Sequence, residues 1–184
     1  LLPVVKNRMN EEIKFLYEFG FREFGENRLT DFNLHKTIYK DVNYHFIAPI
    51  QSRKLKEIIK NFKYIHTIYR QKEINILENQ DDDCNYLIQV NIDNYPNKSG
   101  VTKNEVFEFY EYCIEKRITP VGLMTIPDIA SEPKIVFSEM QQINEKLKMD
   151  YGFKGELSMG MSNDYEVALD YGATIVRIGT KLFT

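Results

Sequence analysis

The chain of 184 residues has no tryptophan and only two cysteines, Cys84 and Cys113, which lie far apart. Without a Cys-x-x-Cys spacing, neither a disulfide framework nor a thiolate metal site is indicated, and a reducing cytosol fits this usage. The chain also lacks an apolar run long enough to cross a bilayer, and its first residues lack the charged start and long apolar middle of a signal peptide. We therefore expect a soluble, cytoplasmic protein.

The chain also lacks a strong excess of either charge. The formal net charge is −3 and the basic residues are scattered, so there is no electrostatic footprint for nucleic acid or an anionic membrane. The many tyrosines and phenylalanines are not interleaved with basic residues, as a stacking platform for nucleic acid requires. His35, His45 and His66 lack the spacing of metal ligands, and a lone strand histidine is more often a hydrogen-bonded core residue. The composition predicts no nucleic-acid, membrane or metal partner.

With 43% apolar residues the chain can bury one sizeable core, and we expect a single domain over residues 1–184. Strand-like runs alternate with helical periodicity, which is typical of βα units and a parallel sheet. The predicted strands are 2–5, 22–25, 44–49, 64–67, 86–92, 120–126, 156–159 and 174–178. The predicted helices are 10–19, 29–39, 53–62, 71–79, 103–116, 133–151 and 164–171. This count predicts an α/β fold, a compact (β/α)8 TIM barrel, with a doubly wound open sheet as the alternative.

Two consecutive strand ends near the end of the chain carry small, hydrogen-bonding residues. They are Leu157-Ser-Met-Gly-Met-Ser162 and Ile175-Val-Arg-Ile-Gly-Thr180. Ser162 precedes a helical segment and can be its N-cap, where free N–H groups and the helix dipole favour anions. Gly179 lets the backbone approach a ligand, and Thr180 offers both an N–H and a hydroxyl. Strands seven and eight of such barrels frequently form a phosphate site, so we interpret these residues as a phosphate cradle.

A charged residue on the first and on the last predicted strand extends this site. Lys6 follows apolar positions, and an amine inside an apolar barrel mouth would have its ammonium form disfavoured and could form a Schiff base with an aldehyde. Position alone favours a solvent-exposed lysine; the neighbouring residues favour the functional interpretation. Arg177 points either outward or into the barrel, and the glycine and threonine after it favour the inward orientation. A lysine, an arginine and a phosphate cradle in one mouth indicate pyridoxal phosphate.

These segments also resemble the pyridoxal-phosphate homeostasis protein family, the YggS-like relatives of the alanine racemase N-terminal barrel. The resemblance covers nearly the whole chain, in the family's order. Besides the two closing segments, it rests on Leu2-Pro-Val-Val-Lys6, Phe24-Gly-Glu-Asn-Arg28, Tyr44-His-Phe-Ile-Ala-Pro-Ile-Gln-Ser-Arg-Lys54, Ile65-His-Thr, Gln89-Val-Asn-Ile92, Lys98-Ser-Gly100 and Gly122-Leu-Met-Thr-Ile-Pro127. Ala48 and Arg53 depart from the family pattern, and the family's N-terminal helix does not precede Leu1.

The resemblance implies roles for individual residues. It implies that Lys6 forms a Schiff base with pyridoxal phosphate, that Asn27 borders the cofactor ring, and that Arg177 faces the pyridine nitrogen. The phosphate would be held by Ser162, Gly179 and Thr180. It further implies a role in intracellular vitamin B6 homeostasis. The expected partners are pyridoxal phosphate and either apo-enzymes that require it or amino acids, and the expected oligomeric state is a monomer.

Committed catalytic turnover is not expected of this site. An arginine opposite the pyridine nitrogen stays protonated and keeps that nitrogen unprotonated, which weakens the ring as an electron sink. Racemases of the related fold compensate with a catalytic tyrosine from a second domain, whereas this chain ends at Thr184, directly after the last predicted strand. We therefore expect a binding protein without catalytic residues. The alternatives are an alanine-type racemase of low activity, and a barrel that binds another phosphorylated ligand without a Schiff base.

Overall fold

Parallel strands and α-helices alternate in the computed structural model, which describes residues 1–36, 39 and 41–183. The strands are β1 Leu2–Pro3, β2 Glu23–Glu26, β3 Asn43–Phe46, β4 Tyr64–Ile68, β5 Asn85–Asn91, β6 Val101–Thr102, β7 Gly122–Met124, β8 Glu156–Ser158 and β9 Arg177–Ile178. The helices are α1 Asn10–Glu18, α2 Leu29–His35, α3 Leu55–Ile59, α4 Gln71–Leu77, α5 Val106–Glu115, α6 Pro133–Tyr151 and α7 Tyr165–Asp170. Short 3₁₀ turns cover Ser52–Lys54 and Thr180–Leu182.

The strands form a closed circuit. Strands β2, β3, β4, β5, β7 and β8 lie side by side in that order, and β1 pairs with β9. Single bridges join Val4 to Gly25 and Ser158 to Ile175, which link β1 to β2 and β9 to β8. The first and last strands are therefore neighbours, as a closed barrel requires. The predicted TIM barrel is confirmed, and the alternative of an open sheet is wrong.

The predicted elements are all present, with their ends shifted by a few residues. The predicted end of the second helix includes residues 37 and 38, which lie outside the described residues. Strand β6 was not predicted, because a two-residue strand has no apolar run of its own. It pairs with β5 after a loop in which Gly100 has φ of 123° and packs directly against the backbone of Asn91.

Side chains on successive strand positions point to opposite faces and so separate two buried layers. One layer packs against the helices and forms the main apolar core, which includes Phe24, Ile88 and Leu123. The other faces the barrel interior, where buried polar side chains bond to one another. The barrel is therefore packed throughout, and its interior is partly polar.

The longest helix shows how local sequence sets the ends of an element. Helix α6 begins with Pro133, whose fixed φ suits the first helical turn and whose missing N–H needs no partner there. It ends at Tyr151 and is capped by Gly152, which takes a left-handed φ of 65°. Phe137 and Met140 bury the inner face of the helix in the core.

Within the described part of the chain, no helix is long and apolar enough to cross a membrane.

Candidate functional site at the barrel mouth

A cavity of about 690 Å³ lies at the carboxyl-terminal ends of the strands. Its walls come from residues that follow β1, β2, β3, β7 and β8 and from the end of β9. This is the end of a TIM barrel where loops place functional groups. Five of the six predicted cofactor-binding residues line the cavity: Asn27, Ser162, Arg177, Gly179 and Thr180.

Lys6 lies beside this group and not within it. The cavity wall includes Val4, and Lys6 stands two residues further along, in a turn where Asn7 has a left-handed φ of 56°. The side chain of Lys6 is exposed. The predicted burial of its amine in an apolar mouth is therefore wrong in this structure, because β1 has ended before Lys6 and the residue lies in an exposed turn.

Arg177 points into the barrel, as the residues around it favoured. Its side chain is 4% exposed, and Nη1 donates to the carbonyl oxygen and to Oγ of Ser158, both at 2.7 Å. Nη2 donates to the carbonyl oxygen of Thr125 at 2.9 Å. Burial lowers the pKa of Arg177 to about 10, although the charge of Asp164 acts in the opposite direction. Since a guanidinium has five N–H donors, two remain without a partner among the described residues, and Arg177 also lines the cavity.

Asn27 brings an unsatisfied polar atom to the cavity wall. Its backbone N–H donates to Oε2 of Glu26 at 3.2 Å, but its side-chain Oδ1 is buried with no hydrogen-bond partner among the described residues. A buried acceptor without a donor is unfavourable by about 1–3 kcal/mol. A bound ligand that offers an N–H or O–H at this wall would remove that penalty.

The phosphate cradle is built differently from the sequence prediction. Helix α7 begins at Tyr165 with Asp164 at the N-cap position, so the prediction that Ser162 is the N-cap is wrong. Asp164 makes no side-chain capping bond to the helix; its Oδ1 instead accepts the Met161 N–H at 2.6 Å across the turn before the helix. Ser162 and Gly179 are half-buried and Thr180 is exposed.

A glycine holds β8 and α7 close together next to the cradle. Gly160 has φ of 89°, and a Cβ at this position would lie 2.6 Å from the Cβ of Ala168 in α7. The carbonyl oxygen of Gly160 accepts the backbone N–H of Arg177 at 3.0 Å. Gly160 therefore fixes the distance between the two cavity walls that carry Ser162 and Arg177.

The loops after β5 and β7 are joined at the cavity rim. Lys98 Nζ pairs with Oδ1 of Asp93 at 2.6 Å, and the Lys98 side chain is mostly buried. Asp93 Oδ2 accepts the Asp128 N–H at 2.7 Å and the Ser131 hydroxyl at 2.8 Å. Asp128 and Ser131 line the cavity. The sequence left Lys98 open between a solvated turn and a mobile edge, whereas the structure makes it part of an ion pair that supports the rim.

The sequence did not predict the contact between two histidines in the barrel interior. His45 Nδ1 lies 2.9 Å from His66 Nε2, and both side chains are buried. They are 21 residues apart, but they belong to the neighbouring strands β3 and β4 and project to the same face. Alternation along the two strands was the signal that could have found the pair. In the part of the chain that is described, no group of three His, Cys, Asp or Glu side chains could hold a metal ion.

The site fits a phosphorylated ring compound such as pyridoxal phosphate. The buried oxygen of Asn27 lacks a donor, the guanidinium of Arg177 has N–H groups left for a ring acceptor, and small polar residues line the opposite wall. The wall also includes the carboxylate-bearing Asp164, but its Oδ1 is already bonded to the Met161 N–H. The donor set therefore suits a ligand that combines an aromatic acceptor with an anionic group.

Comparison with known proteins agrees with this chemistry. The chain is 34% identical over 194 residues to the pyridoxal phosphate homeostasis protein of Aquifex aeolicus, covering 100% of this chain and 85% of that one. It is 36% identical over 200 residues to the protein of the same name from Vibrio alginolyticus, covering 100% and 84%.

Similarity extends to solved structures. PipY of Synechococcus elongatus, solved without pyridoxal phosphate, superposes with a TM-score of 0.90 at 26% identity, covering 100% of this chain and 92% of that one. PipY with pyridoxal phosphate bound gives a TM-score of 0.83 at 24% identity over the same shares. The family model for the alanine racemase N-terminal domain matches residues 1–184. The chain therefore belongs to the alanine racemase N-terminal domain family and, within it, to the pyridoxal phosphate homeostasis proteins.

Proposed function

We propose that this protein binds pyridoxal phosphate at the barrel mouth and serves vitamin B6 homeostasis without committed turnover. The observation that carries the proposal is the grouping of Asn27, Ser162, Arg177, Gly179 and Thr180 around one cavity of about 690 Å³. The names of the homologous homeostasis proteins and the pyridoxal phosphate in the PipY structure support the same ligand. The relatives named above are homeostasis proteins, which favours binding over racemisation.

Pyridoxal phosphate supplies an aldehyde that reacts with primary amines, a pyridine ring and a phosphate. We assign Lys6 as the amine to which the aldehyde becomes attached. Its side chain is exposed and follows the cavity-lining Val4 by two residues. The long, flexible stem of a lysine lets its amine turn toward the cavity.

Arg177 is assigned to the pyridine nitrogen. Its two unbonded N–H groups can donate to a ring acceptor, while its contacts with Ser158 and Thr125 keep the guanidinium in place. Even with its pKa lowered to about 10 by burial, Arg177 stays protonated at neutral pH. Because the arginine keeps its proton, it would leave the ring nitrogen of a bound cofactor unprotonated, which would disfavour carbanion chemistry on the ring.

The remaining residues of the cavity wall are assigned to the ring substituents and the phosphate of the ligand. Asn27 Oδ1 would accept a hydrogen bond from a ring substituent, which would satisfy a buried atom that has no partner in the described structure. Ser162, Gly179 and Thr180 would hold the phosphate through hydroxyl and backbone N–H groups.

The wider cellular role extends this binding function. We infer that the bound cofactor is delivered to apo-enzymes that require it, or reacts with amino acids, and that the protein acts as a monomer. Free thiols at Cys84 and Cys113 support a cytoplasmic location, since a reducing compartment keeps such thiols reduced.

An absorbance titration with pyridoxal phosphate tests the binding function. The wild-type protein should develop a visible band that differs from that of the free cofactor, and Lys6→Ala should abolish it. Lys181→Ala is the matched control, because Lys181 is an exposed lysine next to the cavity residue Thr180 and should leave the band unchanged. Equal spectra for wild type and Lys6→Ala would contradict the attachment to Lys6.

A further inference from the structure

Five side chains run in a continuous line through the barrel interior, from Glu23 at the first residue of β2 to Arg177 at the cavity. Glu23 Oε2 lies 2.7 Å from His45 Nε2, and His45 Nδ1 lies 2.9 Å from His66 Nε2. His66 Nδ1 lies 2.8 Å from Ser158 Oγ, which lies 2.7 Å from Arg177 Nη1. The line joins the amino-terminal end of the barrel to the candidate site at the other end.

The chemistry at the two ends fixes the direction of every bond in the line. A guanidinium can only donate, so Ser158 Oγ accepts from Arg177. An ionised carboxylate can only accept, so His45 Nε2 donates to Glu23. With both histidines neutral, each then carries its proton on Nε2, so His66 Nε2 donates to His45 Nδ1 and the Ser158 hydroxyl donates to His66 Nδ1. Every donor in the line meets an acceptor.

Burial makes the neutral arrangement of His66 favourable. His66 is fully buried, and burial, followed by its neighbours His45 and Arg177, holds its pKa well below the ordinary value of 6.5. A neutral His66 with no proton on Nδ1 accepts a hydrogen bond from the Ser158 hydroxyl at that nitrogen. The lone pairs of that hydroxyl are then free for Arg177, whose partners in the described structure are the uncharged oxygens of Ser158 and Thr125.

Further contacts hold the Glu23 end of the line. Asn43 Nδ2 donates to Glu23 Oε1 at 2.7 Å, and the Tyr64 ring stacks on His45 with centroids 4.4 Å apart and an interplanar angle of 6°. Burial acts to raise the pKa of Glu23, but hydrogen bonds from His45 and Asn43 outweigh it, so the pKa is lowered and the carboxylate stays ionised at neutral pH. The line therefore has a negative charge at its Glu23 end and a positive charge at its Arg177 end.

We propose that His45 and His66 are positioning residues which, as neutral Nε2–H tautomers, transmit the orienting effect of Glu23 through the barrel and direct the Ser158 hydroxyl hydrogen to His66, so that the Oγ lone pairs are left for Arg177. The guanidinium of this cavity-lining residue is thereby held with two N–H groups that have no partner in the described structure. The proposal concerns the protein without ligand; only its consequence for cofactor affinity rests on the proposed function.

Nitrogen NMR of the histidine-labelled protein without ligand, at about pH 8, tests the tautomers directly. His45 and His66 should each show a protonated Nε2 and an unprotonated Nδ1. A protonated Nδ1 on His66 would overturn the proposal, because His66 would then donate to Ser158 and the hydroxyl hydrogen would no longer be committed. It would also indicate a charged His45, which then donates from both ring nitrogens.

A pair of substitutions at the two ends of the line tests the transmission. Glu23→Gln keeps an acceptor for His45 but removes the charge, whereas Ser158→Ala removes the Oγ that bonds Arg177 Nη1 and His66, and leaves the bond from Nη1 to the backbone carbonyl of residue 158. In the ligand-free protein, Glu23→Gln should shift the side-chain nitrogen resonances of Arg177 although the two residues do not touch. The shift should vanish in the Ser158→Ala background. Equal shifts in both backgrounds, or none in either, would overturn the proposal.

Glu156→Gln is the matched control, because Glu156 begins β8 as Glu23 begins β2, and its carboxylate pairs with Lys154 outside the line. It should leave the side-chain nitrogen resonances of Arg177 unchanged.

Ser158→Ala should also weaken the binding of pyridoxal phosphate about tenfold, as expected for a lost hydrogen bond to a charged group. If Ser158→Ala does not fold, Glu23→Gln alone still tests the proposal, because Glu23 is partly exposed and the variant should fold. Unchanged Arg177 resonances in Glu23→Gln would contradict transmission along the line. Altered resonances without any cofactor binding would refute the proposed function alone.

Discussion

At the scale of the residue, His66 should give the protein a pH-dependent stability. Its pKa in the folded state lies well below 6.5, first because of burial and then because of His45 and Arg177. As the pH falls, His66 is therefore protonated in the unfolded chain at a higher pH than in the folded protein. The contribution of His66 to the free energy of unfolding is fully present above pH 6.5 and is lost as the pH falls below it. The free energy of unfolding in urea should fall between about pH 7 and pH 5, and His66→Gln should show a shallower decline.

The comparison with the variant is necessary because other buried groups titrate in acid. Burial raises the pKa of Glu26 despite its hydrogen bond to His35, so its contribution changes with pH in the opposite direction. Glu26 is the same in both proteins, and its effect cancels in the difference. An equal decline in wild type and His66→Gln would show that His66 is not a neutral buried group.

Arg177 should be far less replaceable than an exposed arginine. Arg177→Lys keeps the charge but cannot bond Ser158 and Thr125 with one planar fork, so unfolding in urea should require about 1–3 kcal/mol less free energy. Arg53→Lys, at an exposed position in a 3₁₀ turn, should stay within about 0.5 kcal/mol of wild type. Equal effects at the two positions would contradict the described role of Arg177.

Individual residues divide into those that the sequence could reveal and those that it could not. The inward orientation of Arg177 followed from strand alternation and the glycine after it. The exposure of Lys6 did not, because it depends on where the chain leaves β1. The contact between His45 and His66 also depends on tertiary structure, since it needs the pairing of β3 with β4.

At the scale of the element, the closeness of β8 and α7 should depend on Gly160. An alanine there would have an unfavourable φ of 89° and would place its Cβ 2.6 Å from that of Ala168. Gly160→Ala should therefore displace α7, lower the melting temperature and weaken binding of pyridoxal phosphate.

Gly172→Ala provides a matched control for that substitution. Gly172 has a similar φ of 82°, but the nearest atom to an added Cβ is Gln141 Nε2 at 3.8 Å. It should show the backbone strain of about 1 kcal/mol without a loss of affinity. Equal losses of affinity in both variants would mean that close packing at Gly160 does not shape the cavity.

The ion pair at the rim should order the loop between β7 and α6. Burial alone would raise the pKa of Asp93, but hydrogen bonds from Lys98, Asp128 and Ser131 outweigh it and lower the pKa. Asp93→Asn should therefore speed amide hydrogen exchange at Asp128 at neutral pH, as measured by mass spectrometry. Asp81→Asn, in an exposed turn, should leave that exchange unchanged, and equal exchange in wild type and Asp93→Asn would contradict the role of the pair.

Elements were easier to predict than their ends. Helix and strand periodicity located all eight barrel strands, because both faces of a parallel barrel strand are buried and leave a continuous apolar signal. The cap of α7 was misplaced by two residues, because Ser162 and Asp164 are both residue types that favour the N-cap position, and residue type alone does not choose between them.

At the scale of the whole molecule, barrel closure brings the two ends of the sequence together. The pairing of β1 with β9 places Val4 and Arg177 in the wall of one cavity. Counting the strands predicted this neighbourhood, since a closed circuit of parallel strands must join its first and last members. The sequence could not predict the polar line through the interior, because that line involves five strands whose side chains meet only after closure.

The most direct test of the account asks where pyridoxal phosphate becomes attached. The protein is mixed with the cofactor, reduced with borohydride to make the attachment permanent, digested and analysed by mass spectrometry. The account predicts a single modified lysine, Lys6, and no modification in Lys6→Ala under the same conditions. A label distributed over the exposed lysines, or an unmodified Lys6, would contradict the claim that the barrel mouth holds this cofactor on Lys6.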